Sequence, residues 1–468
     1  MTGKRKRKLA MPDTLIIVAS VVLLVAILSW IIPSGTYDYQ EMNINGRIRN
    51  VAIDGTYHTI DKSEVTTTGF LGFFSVLYRG CVEAADVIFM ILCCCGTFGV
   101  VVKTGAFHAG IGTILKKLKG KEILLVPIIM MIFGLGGSVF GMASEFYGFY
   151  PLIVGLGVAL GYDAMFGFAI IAVGEFVGFM GATLNPYSVG IAQTISGVEL
   201  YSGTGYRAIC FVIFMAISII YVMVYGRKIK KNPGASVVFG KKNIHAFDRD
   251  ELNEYSFTLK DGLVLLDVLV VLVVLMLGLI KWGWDFPQLC GLFLLMSMIA
   301  AAICKWSPNK WCSEFIDSAK TAMWGCILTG IAKAITVVMQ DAQIMDTVIY
   351  GLSNVLKNAP HAVSAQVMLV VQTLINFFIP SATGQASATM PIMAQLADII
   401  GVSRQTAVLA FQFGDGLSNI FWPTADIVII CGLGGISLQK WYKWFTPLFL
   451  ILFVTQAILL GIATGIGF

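Results

Sequence analysis

Residues 136–144, Gly136-Gly137-Ser138-Val139-Phe140-Gly141-Met142-Ala143-Ser144, break an otherwise apolar stretch with small and polar side chains. The flanking arms, Ile123 to Leu135 and Phe146 to Leu160, are apolar. An arm of about 15 residues rises roughly 22 Å as a helix, short of a hydrocarbon core of about 30 Å. Two such arms around a break read as a re-entrant hairpin with its tip inside a membrane. Unpaired backbone at that depth is tolerated only where protein or water satisfies it. Next comes a long apolar stretch, Ala164 to Ile195, interrupted at Gly181-Ala182-Thr183-Leu184-Asn185-Pro186.

The plan recurs. Val363 to Phe378 and Met390 to Ile400 flank Pro380-Ser381-Ala382-Thr383-Gly384-Gln385-Ala386-Ser387. Ala407 to Ile436 is then interrupted at Gly414-Asp415-Gly416-Leu417-Ser418-Asn419 and at Trp422-Pro423-Thr424. A shift of 240 residues sets Pro151 on Pro391, Gly161 on Gly401, Gly174 on Gly414, Glu145 on Gln385 and Glu175 on Asp415. Amphipathic stretches precede both hairpins: Phe107, Ile111, Ile114, Leu115 and Leu118 share one helical face, as do Ile344, Val348, Leu352 and Val355. An internal repeat is expected.

Composition supplies the membrane. Hydrophobic residues are 57% and charged residues 13% of the 468, whereas a soluble domain needs roughly a quarter charged. Leu15 to Ile32 follows the basic cluster Lys4-Arg5-Lys6-Arg7-Lys8 and has no small-residue cleavage site, so it reads as a retained helix with a cytoplasmic N-terminus. Residues 33–68 are polar and suit an outer segment, and further spans fall near 87–102, 206–225, 262–281, 286–304, 316–339 and 444–466. Basic clusters at 4–8, 116–121, 227–231, 241–242 and 440–443 fall inside under one threading of about nine spans plus two hairpins. That threading inverts the second repeat relative to the first, a construction common in secondary transporters. The expected fold is an all-α polytopic membrane protein, an inverted repeat with two re-entrant hairpins and two broken helices.

Several function classes lose ground. The net charge of +5 is accounted for by inner-face anchoring and calls for no nucleic acid. The ten cysteines, Cys93-Cys94-Cys95 included, sit mostly in apolar runs and read as small hydrophobes, with no metal site or disulfide framework. The four histidines, at 58, 108, 245 and 361, fall in loops or interfacial stretches, which disfavours an intramembrane metalloenzyme. A channel would want a continuous polar stripe, while polarity here clusters at two breaks.

Hairpin tips and helix breaks expose backbone groups, and half-helix N-termini favour anions. Gly137, Ser138, Gly141, Ser144, Asn185, Ser381, Thr383, Gly384, Gln385, Ser387, Ser418 and Asn419 are the candidate neutral contacts to a small-molecule substrate. Small residues also serve helix packing in membranes, so any one of them could be structural. Across 122–200 and 361–437 the charged residues are Glu122, Glu145, Asp163, Glu175, Glu199, Asp398, Asp415 and Asp426 against Arg404 alone. Intramembrane acids are costly and usually mark function. Glu145 and Asp415 join the substrate set, and Glu175, Asp415 and Asp426 are candidates for ion or proton coupling. Lys333, in a separate span, reads as paired or snorkelling. With one cation against eight acids, a basic amino acid fits better than a dicarboxylate.

At Trp30-Ile31-Ile32-Pro33-Ser34-Gly35, Leu184-Asn185-Pro186-Tyr187-Ser188-Val189-Gly190, Pro380-Ser381-Ala382-Thr383-Gly384-Gln385-Ala386 and Gly414-Asp415-Gly416-Leu417-Ser418-Asn419 the chain resembles the YfcC-type branch of the C4-dicarboxylate anaerobic carrier family. That family sits within the ion-transporter superfamily of elevator carriers. The resemblance implies a homodimer in the lipid bilayer of a cell inner membrane, each protomer with a fixed scaffold and a moving transport domain. It places the substrate at both tips and both breaks. Relatives are described as arginine/ornithine antiporters, while the family name points to dicarboxylates. The superfamily's Ser-Asn-Thr motifs are not cleanly present, and H+ and Na+ both stay open as the coupling ion; no other cofactor is expected. On this scheme 1–121 is a first scaffold part with its outer loop at 33–68, and 122–200 a first transport half. Residues 201–260 form a span and cytoplasmic linker, 261–360 a second scaffold part, 361–437 a second transport half and 438–468 a C-terminal span. The expected activity is secondary transport of an amino acid such as arginine or ornithine, with a proton- or sodium-coupled carboxylate carrier and an ion channel as alternatives.

Overall fold

The computed structural model describes residues 13–44, 47–118, 122–240, 245, 257–357 and 363–468. The basic clusters at 4–8 and 241–242, Lys119, Lys121 and His361 lie outside these residues, as do the side chains of Ile114, Leu115, Lys116, Lys117, Leu118, Glu122 and Val355. Among the described residues there are 19 α-helices and two short antiparallel strand pairs. Seven helices are long and apolar enough to cross a membrane: Thr14–Ile31, Ala85–Lys103, Thr204–Lys231, Leu259–Leu279, Phe286–Ile303, Met323–Asp341 and Leu438–Gly465. These correspond to the seven unbroken spans of the expected threading.

The first helix, α1 (Thr14–Ile31), is capped by Asp13, whose carboxylate accepts from Leu15 N at 2.9 Å. It ends just before Pro33, which lacks the N–H a helix ladder needs. The polar segment that follows pairs β1 (Ser34–Thr36) with β4 (His58–Ile60) and β2 (Tyr39–Ile44) with β3 (Arg47–Ala52). Then come α2 (Phe70–Glu83), α3 (Ala85–Lys103), α4 (Ala106–Leu118), α5 (Leu125–Leu135), α6 (Phe149–Ala159), α7 (Ala164–Met180), α8 (Val189–Ile195) and α9 (Thr204–Lys231). The later elements are α10 (Leu259–Lys281), α11 (Phe286–Ile303), α12 (Pro308–Lys320), α13 (Met323–Asp341), α14 (Met345–Lys357), α15 (Ser364–Phe378), α16 (Ala382–Ile399), α17 (Arg404–Ser418), α18 (Asp426–Gly434) and α19 (Leu438–Gly465).

Helices α1–α9 correspond in order to α11–α19, with α10 left over between them. A shift of 240 carries α3 to 325–343, against Met323–Asp341 observed; α4 to 346–358, against Met345–Lys357; and α7 to 404–420, against Arg404–Ser418. Packing partners exchange in the same way. Helix α2 packs on α13 and α12 on α3; α1 packs on α13 as α11 does on α3; α8 packs on α16 as α18 does on α6. In each half the hairpin arms, α5 and α6 or α15 and α16, pack on the broken helix, α7 or α17. Helices α7 and α17 then cross each other where Gly416 meets the Met180 backbone without a side chain between them.

Three sequence expectations need correction. The span expected at 316–339 is two helices, because Thr321 and Ala322 form a turn between amphipathic α12 and apolar α13. The second hairpin opens only at residues 379–381, and 382–387 are already helical, with Ser381 Oγ accepting from Gly384 N at 3.3 Å as an N-cap. Likewise Gly414-Asp415-Gly416-Leu417-Ser418 stays helical, and the second broken helix opens from Asn419 to Ala425.

The opened backbone is satisfied internally, as burial in an apolar medium demands. In the first half Thr183 N and Leu184 N donate to Ser138 O at 2.9 and 3.2 Å, and Asn185 Oδ1 accepts from Tyr187 N and Ser188 N at 2.9 and 3.2 Å. In the second half Thr424 Oγ1 donates to Phe377 O and Trp422 Nε1 to Thr373 O, at 2.7 and 2.6 Å. From α19, Trp441 Nε1 donates to Ile420 O and Tyr442 OH to Phe421 O, both at 2.8 Å.

Candidate functional site

The tips and breaks converge on a cleft. One cavity of about 490 Å3 is lined by Gly141, Ser144 and Glu145 from the first tip, Ser381, Thr383 and Gly384 from the second, and Asn419 and Asp426 at the second break. A neighbouring cavity of about 530 Å3 shares Ser144, Ser381, Gly384 and Asp426, and its far wall is α13, including Thr329, Lys333 and Thr336. Both volumes lie in the range that holds a metabolite.

The cleft is assembled by hydrogen bonds that cross between the halves. Tyr147 OH donates to Asp426 Oδ1 at 2.7 Å, and Thr383 Oγ1 donates to Tyr187 O at 2.9 Å. Gly141 turns the first tip with φ of 69°, and a Cβ there would collide with Asn185 and Tyr187. At the same tip Glu145 folds back so that Oε2 accepts from Ala143 N at 2.9 Å, which orients the carboxylate at the cavity wall.

The remaining candidates lie behind this wall. Ser138 is buried, its Oγ donating to Gly181 O and meeting Thr183 Oγ1, both at 3.1 Å. Gly137 sits where a Cβ would lie 2.6 Å from Glu175 O, so it serves the α5–α7 approach. Asn185 Nδ2 donates to Gly137 O at 3.4 Å, and Ser418 Oγ bonds back to Gly414 O at 2.5 Å. Ser387, with Gly384, borders a separate small cavity against Tyr39 and Asn50. Gln385 is buried, its Nε2 donating to Gln372 Oε1 at 2.7 Å. Glu175 accepts from Tyr150 OH at 2.8 Å through Oε2, while Oε1 is buried without a hydrogen-bond partner.

Asp415 belongs to a buried amide cluster that sequence reading missed. Asn376 Nδ2 lies 2.9 Å from Asp415 Oδ1, 3.1 Å from Asn419 Oδ1 and 3.2 Å from Gln385 Oε1. Asp415 Oδ2 and Asn376 Oδ1 are buried without partners. Such an oxygen-only donor set suits a hard cation or a proton rather than a soft metal. Among the described residues no group of three or more His, Cys, Asp or Glu is arranged to hold a metal ion. Asn376 and Gln372 sit inside apolar α15, where two amides one turn apart in Val-Met-Leu-Val-Val-Gln-Thr-Leu-Ile-Asn were the available signal. Lys333, expected to be paired or snorkelling, faces the cleft, and none of the described residues pairs with it.

The model of the C4-dicarboxylate anaerobic carrier family matches residues 11–465. The chain is 32% identical over 502 residues to the Escherichia coli (strain K12) protein named "Putative basic amino acid antiporter YfcC", covering 100% of this chain and 99% of the relative. It is 28% identical over 508 residues to an uncharacterized protein of Haemophilus influenzae, covering 99% of each. Among solved structures, the Alcanivorax borkumensis YdaH transporter shares 14% identity and a TM-score of 0.44, over 98% of this chain and 99% of that one. The Neisseria gonorrhoeae efflux pump MtrF shares 15% and 0.44, over 97% and 96%. At that level the structural likeness decides nothing about mechanism. The family match and the full-length relative do decide the class: this multi-pass membrane protein belongs to the C4-dicarboxylate anaerobic carrier family, whose members are transporters and not enzymes.

Proposed function

We propose that the chain is a secondary active transporter, working by exchange or ion coupling, for basic amino acids such as arginine and ornithine. The observation that carries this reading is the cleft in which both tips meet Glu145 and Asp426. A zwitterion with a further cationic group finds acids for its cations, and tip amides and hydroxyls replace the rest of its hydration. The name of the Escherichia coli relative agrees with it. The two partnerless oxygens beside Asp415 support a coupling role for that acid, by proton or by Na+, and the partnerless oxygen of Glu175 supports the same for it.

The partner exchange between halves supports a two-fold relation. Counting the first broken helix, five crossings (α1, α3, α7–α8, α9 and α10) precede α11, the counterpart of α1, and that odd number favours an inverted repeat. On this reading 122–200 and 361–437 move together as the transport domain against a scaffold built from 1–121 and 261–360. The protein works as a homodimer in a cell inner membrane with its N-terminus in the cytoplasm.

A second reading, a proton- or sodium-coupled carboxylate carrier, is favoured by one observation: Lys333 supplies the cleft with a fixed cation. Proteoliposomes loaded with arginine or ornithine separate the two. Labelled arginine should enter well above empty controls, and succinate or fumarate should not compete. Efficient succinate exchange without an arginine signal would establish the carboxylate reading instead.

A further inference from the structure

We infer that Lys333 is a specificity-determining residue that receives the carboxylate of the transported molecule. The inference rests on the amino-acid reading of the cleft and names the group that reads the acid end of that substrate.

Helix α13 lies against α18, with a Cβ on Gly432 only 3.2 Å from Gly325 Cα and one on Gly325 3.5 Å from Ile429 O. From Gly325 to Lys333 is eight residues, about 12 Å along the helix. Asp426 is the first residue of α18, and the two reach the same cavity. Thr329, Lys333, Thr336 and Gln340 recur at helical spacing along the cavity wall, so one face of α13 fronts it. The Lys333 ammonium is thereby aimed into a cavity between helices, and no described carboxylate pairs with it. Asp426 shares the cavity, but Tyr147 OH already occupies its Oδ1 at 2.7 Å.

A cation held between membrane helices is costly unless something supplies its counter-charge. Glu83 and Asp426 line the same cavity without an ion pair to Lys333, and the open side of the ammonium is the cleft itself, so a mobile anionic group has room to supply the counter-charge. Among the described residues lining the two cavities, Lys333 is the one cationic side chain, against Glu83, Glu145, Asp285 and Asp426. A carboxylate entering the cleft therefore has one cationic side chain to meet. Lys333 belongs to α13, whereas the acids and tips belong to the hairpins and α18. A substrate bridging them would tie the two parts of the cleft together only when both of its ends are present.

The test uses arginine and agmatine, its analogue without the carboxylate, as competitors for labelled arginine exchange in proteoliposomes. Wild type should prefer arginine by roughly 30-fold, the size expected for a desolvated charge pair. In K333Q, arginine should weaken by a similar factor while agmatine is unchanged, so that the preference collapses; K333R should retain it. K333M replaces K333Q if the latter elutes as aggregate. Wild type that binds both equally overturns the inference without any variant, as does K333Q with an unchanged preference. Failure of the amino-acid reading looks different: wild type then exchanges succinate and not arginine. In that case succinate and propionate replace the pair, and a K333Q that still prefers the dianion overturns the role of Lys333.

Discussion

Asp415 has one carboxylate oxygen on Asn376 Nδ2 at 2.9 Å and the other buried with no partner. Asn376 has two N–H groups for three acceptors within 3.2 Å, those of Asp415, Asn419 and Gln385. The cluster is therefore short of donors, which a proton or a cation would supply. Asp415→Asn removes the charge and keeps the volume, so the folded yield should stay near wild type while counterflow falls strongly. Purification yield and counterflow in proteoliposomes check the two halves of that statement. Normal transport by both Asp415→Asn and Glu175→Gln would remove these acids from the mechanism. The depth of Asp415 and Glu175 was readable from neighbouring glycines in apolar runs, but Asn376 was not. Gln372 and Asn376 stand one turn apart in an apolar helix, but what Asn376 holds is set by residues 9, 39 and 43 positions away.

Elements were legible where composition changes sharply and illegible where it does not. The first hairpin and first broken helix end where small residues interrupt apolar runs, and α7 and α8 keep the outer limits read for that stretch, Ala164 and Ile195. Helix α2 escaped notice because 14 residues containing Tyr78 and Arg79 resemble neither a span nor a loop. The polar run 382–387 looked open because Ser, Thr and Gln suggest a loop, but their side chains bond within the helix: Ser387 Oγ donates to Thr383 O at 2.9 Å. The segment between α1 and α2 has a clasp of its own. Asp346, at 8% exposure, accepts from Tyr37 N at 3.0 Å, Thr36 Oγ1 at 3.2 Å and Tyr39 OH at 2.8 Å. Burial and the Asp346 carboxylate together push the Tyr39 phenol well above its ordinary range, so it remains a donor. Strand β3 in turn packs on α16. Asp346→Ala should cost about 2–3 kcal/mol of local stability, the scale for bonds to a charged group. Trypsin should then cut faster at Arg47 and Arg49 while the apolar helices stay intact; an unchanged cleavage rate would show that the clasp does not hold the strands.

At the scale of the whole molecule, the seam between α13 and α18 tests the proposed division into fixed and moving parts. If hairpins and broken helices form one body that slides past a fixed scaffold, α13 belongs to the scaffold and α18 to the moving part. Their contact brings Gly325 against Gly432, with the Leu433 and Trp324 side chains beside them, and small residues at the point of approach allow sliding as well as close packing. Cysteines at these two positions lie within reach of a disulfide, since a Cβ on Gly432 is 3.2 Å from Gly325 Cα. The ten native cysteines include Cys326 and Cys431, the sequence neighbours of these glycines, so the pair belongs in a background where all ten are replaced. Each single variant should transport, because neither glycine has a positive φ, the space at Gly325 accepts a Cβ at ordinary contact, and a Cβ on Gly432, 3.2 Å from Gly325 Cα and Trp324 Cδ1, asks its neighbours to give by only a few tenths of an ångström. Oxidation of the double variant should abolish exchange, and reduction should restore it. Exchange that continues under complete cross-linking would mean that α13 and α18 travel together, and the boundary between fixed and moving parts would then lie elsewhere in the cleft.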